Sequence, residues 1–148
     1  MLKFVAAILV GVFSGIGAYT FFYAKGFSYL SNDPRSCANC HIMKDNFDGW
    51  QKASHHGVAT CNDCHVPHTF FAKWLTKADN GYHHSEAFTL QNFHEPIQIK
   101  PRSAEVLNNN CLYCHKEFVS EITAARAAGK SEIYCVRCHQ NVGHGPSR

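Results

Sequence analysis

The chain has 148 residues, a length that fits one domain, with 14 Lys and Arg against 11 Asp and Glu and a formal net charge of +3. So slight a basic excess carries no argument for nucleic acid as a partner. Charged residues make up only 17% of the chain, while 11 Phe, 6 Tyr and 2 Trp make it rich in aromatics.

The first predicted element is the apolar run FVAAILVGVFSGIGAYTFFYA, residues 4–24, which carries no charge between Lys3 and Lys25. At about 1.5 Å per residue, a helix of that length crosses the roughly 30 Å hydrocarbon layer of a membrane once. A cleaved signal peptide is the rival reading. Its apolar region would be shorter, and the chain after Ala18 returns to aromatic residues instead of a polar mature start. Tyr19, Phe21, Phe22, Tyr23, Phe27 and Tyr29 suit an aromatic belt at the outer surface. Gly11 and Gly15 make a GxxxG, a spacing that packs membrane helices against partners. Asn32-Asp33-Pro34 is a turn that separates the anchor and its belt, residues 1–30, from the rest of the chain.

All eight cysteines fall in four CxxC pairs, each followed at once by histidine: CANCH (37–41), CNDCH (61–65), CLYCH (111–115) and CVRCH (135–139). This is the attachment motif of c-type haem. The thiols of Cys37 and Cys40, Cys61 and Cys64, Cys111 and Cys114, and Cys135 and Cys138 would form thioethers with the haem vinyl groups. The adjacent imidazoles, including His65, His115 and His139, are then placed to bind iron. Paired CxxC also suits zinc or disulfides, but neither requires the histidine. At this chain's histidine frequency of 11 in 148, four such coincidences have a probability of about 3 × 10⁻⁵. The expectation is four covalently bound haems c. Their propionates offset the basic excess, and the macrocycles replace much of an ordinary core. The aromatic residues suit contact with porphyrin and lipid. Haem c is attached outside the cytoplasm, so the motifs belong on the periplasmic side and the N-terminus inside.

His41 and His65 are 24 residues apart, as are His115 and His139, and the two pairs are offset by 74. That spacing suggests duplication of a two-haem unit. The expected fold is mainly α with much irregular structure. A single transmembrane helix precedes a tetrahaem domain of two pseudo-repeated dihaem units, residues 31–68 and 106–148. The segment between them, residues 69–105, is too long for a plain connector and is read as functional. Within it HTFFAKWLTKAD (68–79) predicts a helix, with Phe70, Phe71, Trp74, Leu75 and Ala78 on one face and Lys73 and Lys77 on another. Asn80-Gly81 is expected to end it. The aromatic face suits either the membrane surface or packing on haem. A second helix is predicted over residues 117–129, stopped by Gly129, before a loose tail HGPSR.

Four irons present eight axial positions, and the motif histidines account for four of them. His55 or His56, between the first and second motifs, and His144, after the fourth, are the leading distal candidates. His84 and His94 come next, then His68 and His83. Residues 116–134 contain no histidine, so one haem is expected to lack an internal sixth ligand and to stay open or be completed by a partner. Met43 lies two residues past His41 and cannot reach around the porphyrin. Two readings stand: it packs, or it displaces His41 as the iron ligand and frees the opposite face.

One anchor, four CxxCH motifs, CHIM at the first, SHHGVATCNDCHVP at the second and KADNGYHHSEAFTLQNFHEPI between the halves together resemble the NapC/NirT family of membrane-anchored tetrahaem quinol dehydrogenases. The CxxCHxM and the short length look most like the branch that serves cytochrome c nitrite reductase. The resemblance implies a first haem near the membrane that takes electrons from menaquinol. It implies Met43 as the iron ligand there and a carboxylate, best matched by Asp79, on the distal side. It also implies a quinol-binding lysine, best matched by Lys73 with Lys77 as the alternative. The implied partner is the catalytic multihaem nitrite reductase subunit in a hetero-oligomer, donating a lysine ligand to one haem, and the implied place is the bacterial inner membrane. Quinol oxidation releases protons as well as electrons, so a proton acceptor beside the haem edge makes chemical sense. The alternatives are a quinol dehydrogenase for another periplasmic reductase, such as nitrate reductase, and an electron-conducting module without a quinol site. A haem-based sensor is disfavoured, since no signalling domain follows the haems.

Overall fold

The computed structural model describes residues 1–121 and 134–145, and among these every regular element is helical. Helix α1, Leu2–Tyr23, follows from a run with no charge after Lys3 and no proline, and all of it is exposed. Its length and apolar composition suffice to cross a membrane. The helix ends at Ala24, after which Lys25 turns the chain with φ of 52° into a 3₁₀ turn, Gly26–Leu30. Gly26 lies against the Phe21 ring with no room for a Cβ. Phe27 then meets Phe21 and Phe22 edge-on at 5.0 and 5.8 Å. Tyr19 and Tyr23 stack at 5.9 Å.

The turn at residues 32–34 also starts a helix. Asp33 caps α2, Pro34–Cys37, by accepting from the Arg35 backbone N–H at 2.9 Å, and proline sits in the first turn where its missing N–H costs nothing. A 3₁₀ turn, His41–Met43, leads into α3, Lys44–Gln51. Helix α4, Cys61–His65, is the second motif itself, fixed by a capping box in which Thr60 N–H donates to Asp63 at 2.8 Å.

The expected stop at Asn80-Gly81 is overturned. Helix α5 runs from Phe70 to Leu90 and ends only at Gln91, with φ of 53°. A helical glycine costs up to about 1 kcal/mol, which tertiary contacts readily override. Here Gly81 passes the Tyr29 ring, Ser85 Oγ donates to the Gly81 carbonyl at 2.7 Å, and His84 meets Tyr29 one turn later. Helix α6, Pro101–His115, was not anticipated and delivers the third motif at its C-terminal end. A 3₁₀ turn, Cys135–Arg137, carries the fourth. The helix predicted over residues 117–129 lies largely outside the described residues, as does most of the tail.

Among the described residues, Val66 is the one buried hydrophobic side chain. It sits where α4 packs on α6, and its neighbours in burial are polar. Asn110 donates to the carbonyls of Cys64 and Val66, both at 2.9 Å. The Asn108 side-chain oxygen accepts from Cys135 N–H at 3.0 Å. Two amides on one helix thus hold the second, third and fourth motifs together.

Candidate functional site

With one apolar side chain buried, the described residues do not close a core of their own. None of the eight cysteines is joined in a disulfide, and all are at least partly exposed. Their arrangement fits covalent haem c, whose macrocycles would contribute the apolar surface. The first cysteines of paired motifs are in contact in both halves, Cys37 with Cys61 and Cys111 with Cys135. Cys64 has Cys114 as a neighbour, linking the second motif to the third. The four attachment points therefore form one continuous series.

The histidines sort by what faces them. Metal–imidazole bonds are about 2 Å long, so two imidazoles on opposite sides of one metal have ring centres about 6 Å apart. His65 and His144 stand 6.1 Å apart with rings nearly parallel at 15°. His55 and His115 stand 6.0 Å apart at 69°. Both separations fit a shared iron. His144 Nδ1–H donates to the Gly145 carbonyl at 2.8 Å, which leaves Nε2 with its lone pair for a metal. Burial and the His144 ring push His65 down to about 4, holding it in the neutral form that ligates. His55 Nδ1 shares a hydrogen bond with Ser54 Oγ at 3.2 Å. Its neighbour His56 turns the other way, onto the edge of Trp50 at 4.6 Å. Trp50 in turn donates to the Ala59 carbonyl at 3.0 Å, fixing the loop. His68 stacks on Tyr113 at 4.1 Å.

Among the described residues, no second imidazole faces His41 or His139. His139 borders an open groove of ≈ 570 Å³, with Lys52, Ser54, Arg137 and Asn141 also on its walls. At the first motif His41 is exposed while Met43 is half-buried, its sulfur 3.9 Å from the Asn46 amide.

The first motif sits at the end of the anchor. Asn39, inside CANCH, donates to the Ala24 carbonyl at 3.2 Å. Helix α5 comes to the same place through Lys77, buried to 7% exposure, whose ammonium donates to the carbonyls of Tyr29 at 2.9 Å and Ser31 at 2.6 Å. Burial and nearby Lys73 lower the Lys77 pKa. Tyr29 shares a 3.1 Å hydrogen bond with His84, and burial pushes its phenol up to about 12. Burial, Lys100 and His83 together lower His84. Tyr29 thus stands between the first motif and α5, and Lys77 ties α5 to its carbonyl. Lys73 borders a separate small cavity of ≈ 70 Å³ with Asn32, Asn62, Asp63 and His68. Asp79 is half-exposed, with His83 at 3.6 Å and Arg102 at 3.9 Å.

Sequence reasoning missed Tyr29, Asn39, Asn108 and Asn110 as organising residues. The run NNN before CLYCH carried a signal, since asparagine is a poor helix former and invites a buried partner. Asn39, at a variable position of CxxCH, carried none.

The profile of the NapC/NirT cytochrome c family, N-terminal region, matches residues 1–148. The cytochrome c-type protein NrfH of Wolinella succinogenes is 34% identical over 156 aligned residues, covering 99% of this chain and 88% of that protein. The cytochrome c nitrite reductase subunit NrfH of Nitratidesulfovibrio vulgaris is 36% identical over 121, covering 82% and 72%. Among solved structures, a cytochrome c nitrite reductase NrfHA complex bound to the HQNO inhibitor is similar, with a TM-score of 0.67 and 30% identity, covering 93% of this chain and 90% of that one. The chain belongs to the NapC/NirT cytochrome c family.

Proposed function

We propose that this chain is the membrane-anchored, menaquinol-oxidising subunit of a cytochrome c nitrite reductase complex, with four haems c on the periplasmic side of the bacterial inner membrane. The observation that carries this is the junction at Ala24. Asn39 binds the first motif to the end of α1, and Lys77 and Tyr29 bind α5 to the turn after it. A lipid-soluble donor leaving the membrane meets these residues first. The NrfH relatives and the NrfHA complex support the partner.

When bound, haem c supplies one-electron redox chemistry. The eight cysteines would attach it, and Met43, half-buried where His41 is exposed, would hold the first iron. His65 with His144, and His115 with His55, would hold the second and third. His139 would hold the fourth from one side, leaving the other side to a lysine of the catalytic subunit. Asp79 would accept a quinol proton, and Lys73, or Lys77 beside the first motif, would bind the quinol oxygen, with Lys77 keeping α5 in register with the membrane end.

The test uses the full chain in liposomes with a menaquinol analogue. Asp79→Asn should retain all four haems by absorption and lose roughly a hundredfold or more of quinol-driven haem reduction. Unchanged turnover would remove Asp79 from the proton role. Purification from native membranes should bring down a multihaem subunit that reduces nitrite; a nitrate-reducing partner would redirect the assignment.

A further inference from the structure

Beyond Asp79, α5 carries a second titratable group whose geometry the quinol site does not itself require. Asp79, His83 and Glu86 lie four and three residues apart along the helix, and the imidazole has a carboxylate at each ring nitrogen. His83 Nε2 is 3.6 Å from Asp79 Oδ1, and Nδ1 is 3.3 Å from Glu86 Oε2. All three side chains are about half-exposed, so the series runs along the surface of α5 and Glu86 can hand a proton to water. We infer that His83 and Glu86 form the proton exit from the quinol site, an inference that rests on Asp79 being the quinol's proton acceptor.

The argument is one of donors and acceptors. A carboxylate only accepts, and a neutral imidazole carries one N–H and one lone pair. Between two carboxyl groups, the ring can take a proton on one nitrogen while releasing one from the other. Quinol oxidation breaks two O–H bonds and yields a quinone, two electrons and two protons. The electrons leave to haem c. A proton passes from Asp79 to His83 Nε2, the Nδ1 proton passes to Glu86, Glu86 returns it to water, and a flip of the imidazole ring restores the starting tautomer before the second proton follows. The gap at Nε2 exceeds a hydrogen bond and is spanned by one water or a small rotation. Arg102 approaches the other Asp79 oxygen, Oδ2, at 3.9 Å, leaving Oδ1 to His83. Tyr82 flanks the ring edge-on at 5.2 Å, and His84 lies alongside. A plainer role, helix stabilisation by i,i+3 and i,i+4 pairs, makes no demand on proton flow.

The experiment compares His83→Ala with the unaltered full-length chain in liposomes, driven either by menadiol or by reduced methyl viologen, which gives electrons without protons. Menadiol-driven haem reduction should fall roughly ten- to hundredfold, and imidazole in the buffer should restore it. Viologen-driven reduction and menadione binding should not change. A menadiol rate within about twofold of the unaltered chain overturns the exit. So does a loss that imidazole does not rescue, or one shared by viologen. Asp79→Asn separates the failures. If it too leaves menadiol oxidation intact, the quinol-site reading falls; if it alone abolishes oxidation, only the His83–Glu86 exit falls.

Discussion

The two inner motifs and the two outer ones are built differently. Across from His65 and His115, in the inner pair, the chain places His144 and His55 at close to the separation that one shared metal requires. Across from His41 and His139 it places no imidazole among the described residues. The inner ligands are also crossed: the residue just past the fourth motif faces the second, and the residue just before the second faces the third. A metal closed on both sides by the chain suits conduction, whereas one left open on a side suits exchange with something outside. On the proposed reading, one end meets quinol at the membrane, and the other meets the catalytic subunit at the haem held by His139.

The sharpest way to break this contrast is to open an inner position. His144→Ala or His55→Ala should each convert one low-spin haem to high spin in absorption and electron paramagnetic resonance spectra. Quinol-to-nitrite flux through the complex should fall roughly tenfold or more, as an inner carrier loses its ligand field. His56→Ala should leave the spectra unchanged, because His56 packs on Trp50. A spectral change in His56→Ala and none in His55→Ala would reverse the assignment of the loop.

The sequence spoke clearly where chemistry or solvent dictates residue type, and poorly where tertiary contact does. The anchor was legible to within a few residues, because a membrane tolerates only apolar side chains over that length. The family was legible in the CxxCH motifs, because thioether chemistry needs two thiols at fixed spacing. By contrast, the length of α5 was lost at Gly81, a stop signal overridden by Tyr29, which is 52 residues away in the chain. Lys73 and Lys77 share one helical face by periodicity, yet Lys77 is buried under two carbonyls and Lys73 borders another cavity. His55 and His56 could not be told apart by position, since only the placement of Trp50 and His115 separates them.

A smaller effect should come from the amides that join the inner motifs to each other and to the fourth. Of the three consecutive asparagines in α6, Asn108 and Asn110 are buried and Asn109 is exposed. Asn110→Ala strips two backbone carbonyls, those of Cys64 and Val66, of their common donor. The loss should be about 1–3 kcal/mol of stability, read as a lower denaturant midpoint. Asn109→Ala should move the midpoint little, since alanine is the better helix former and no buried partner is lost. Equal effects from the two substitutions would mean that these amides do not organise the motifs.

The subtlest distinction concerns how His144 is held opposite His65. Gly49, within α3, passes so close to the His144 loop that a Cβ there would stand 2.5 Å from the His144 carbonyl oxygen. In an isolated helix, alanine would be favoured over glycine by up to about 1 kcal/mol. Here the obstacle is backbone, which does not swing aside like the end of a flexible side chain, so Gly49→Ala must displace the loop that carries the ligand. The global midpoint should shift by less than in Asn110→Ala, because the helix gain offsets part of the clash. The haem held by His65 should nevertheless become accessible to added imidazole or carbon monoxide, seen as a ligand-dependent change in its absorption band. The haem held by His115 and His55 should not respond, since the atoms nearest a Cβ at Gly49 all belong to His144. If neither haem admits the added ligand, the close approach at Gly49 is simple packing and His144 is positioned by the Gly145 hydrogen bond alone.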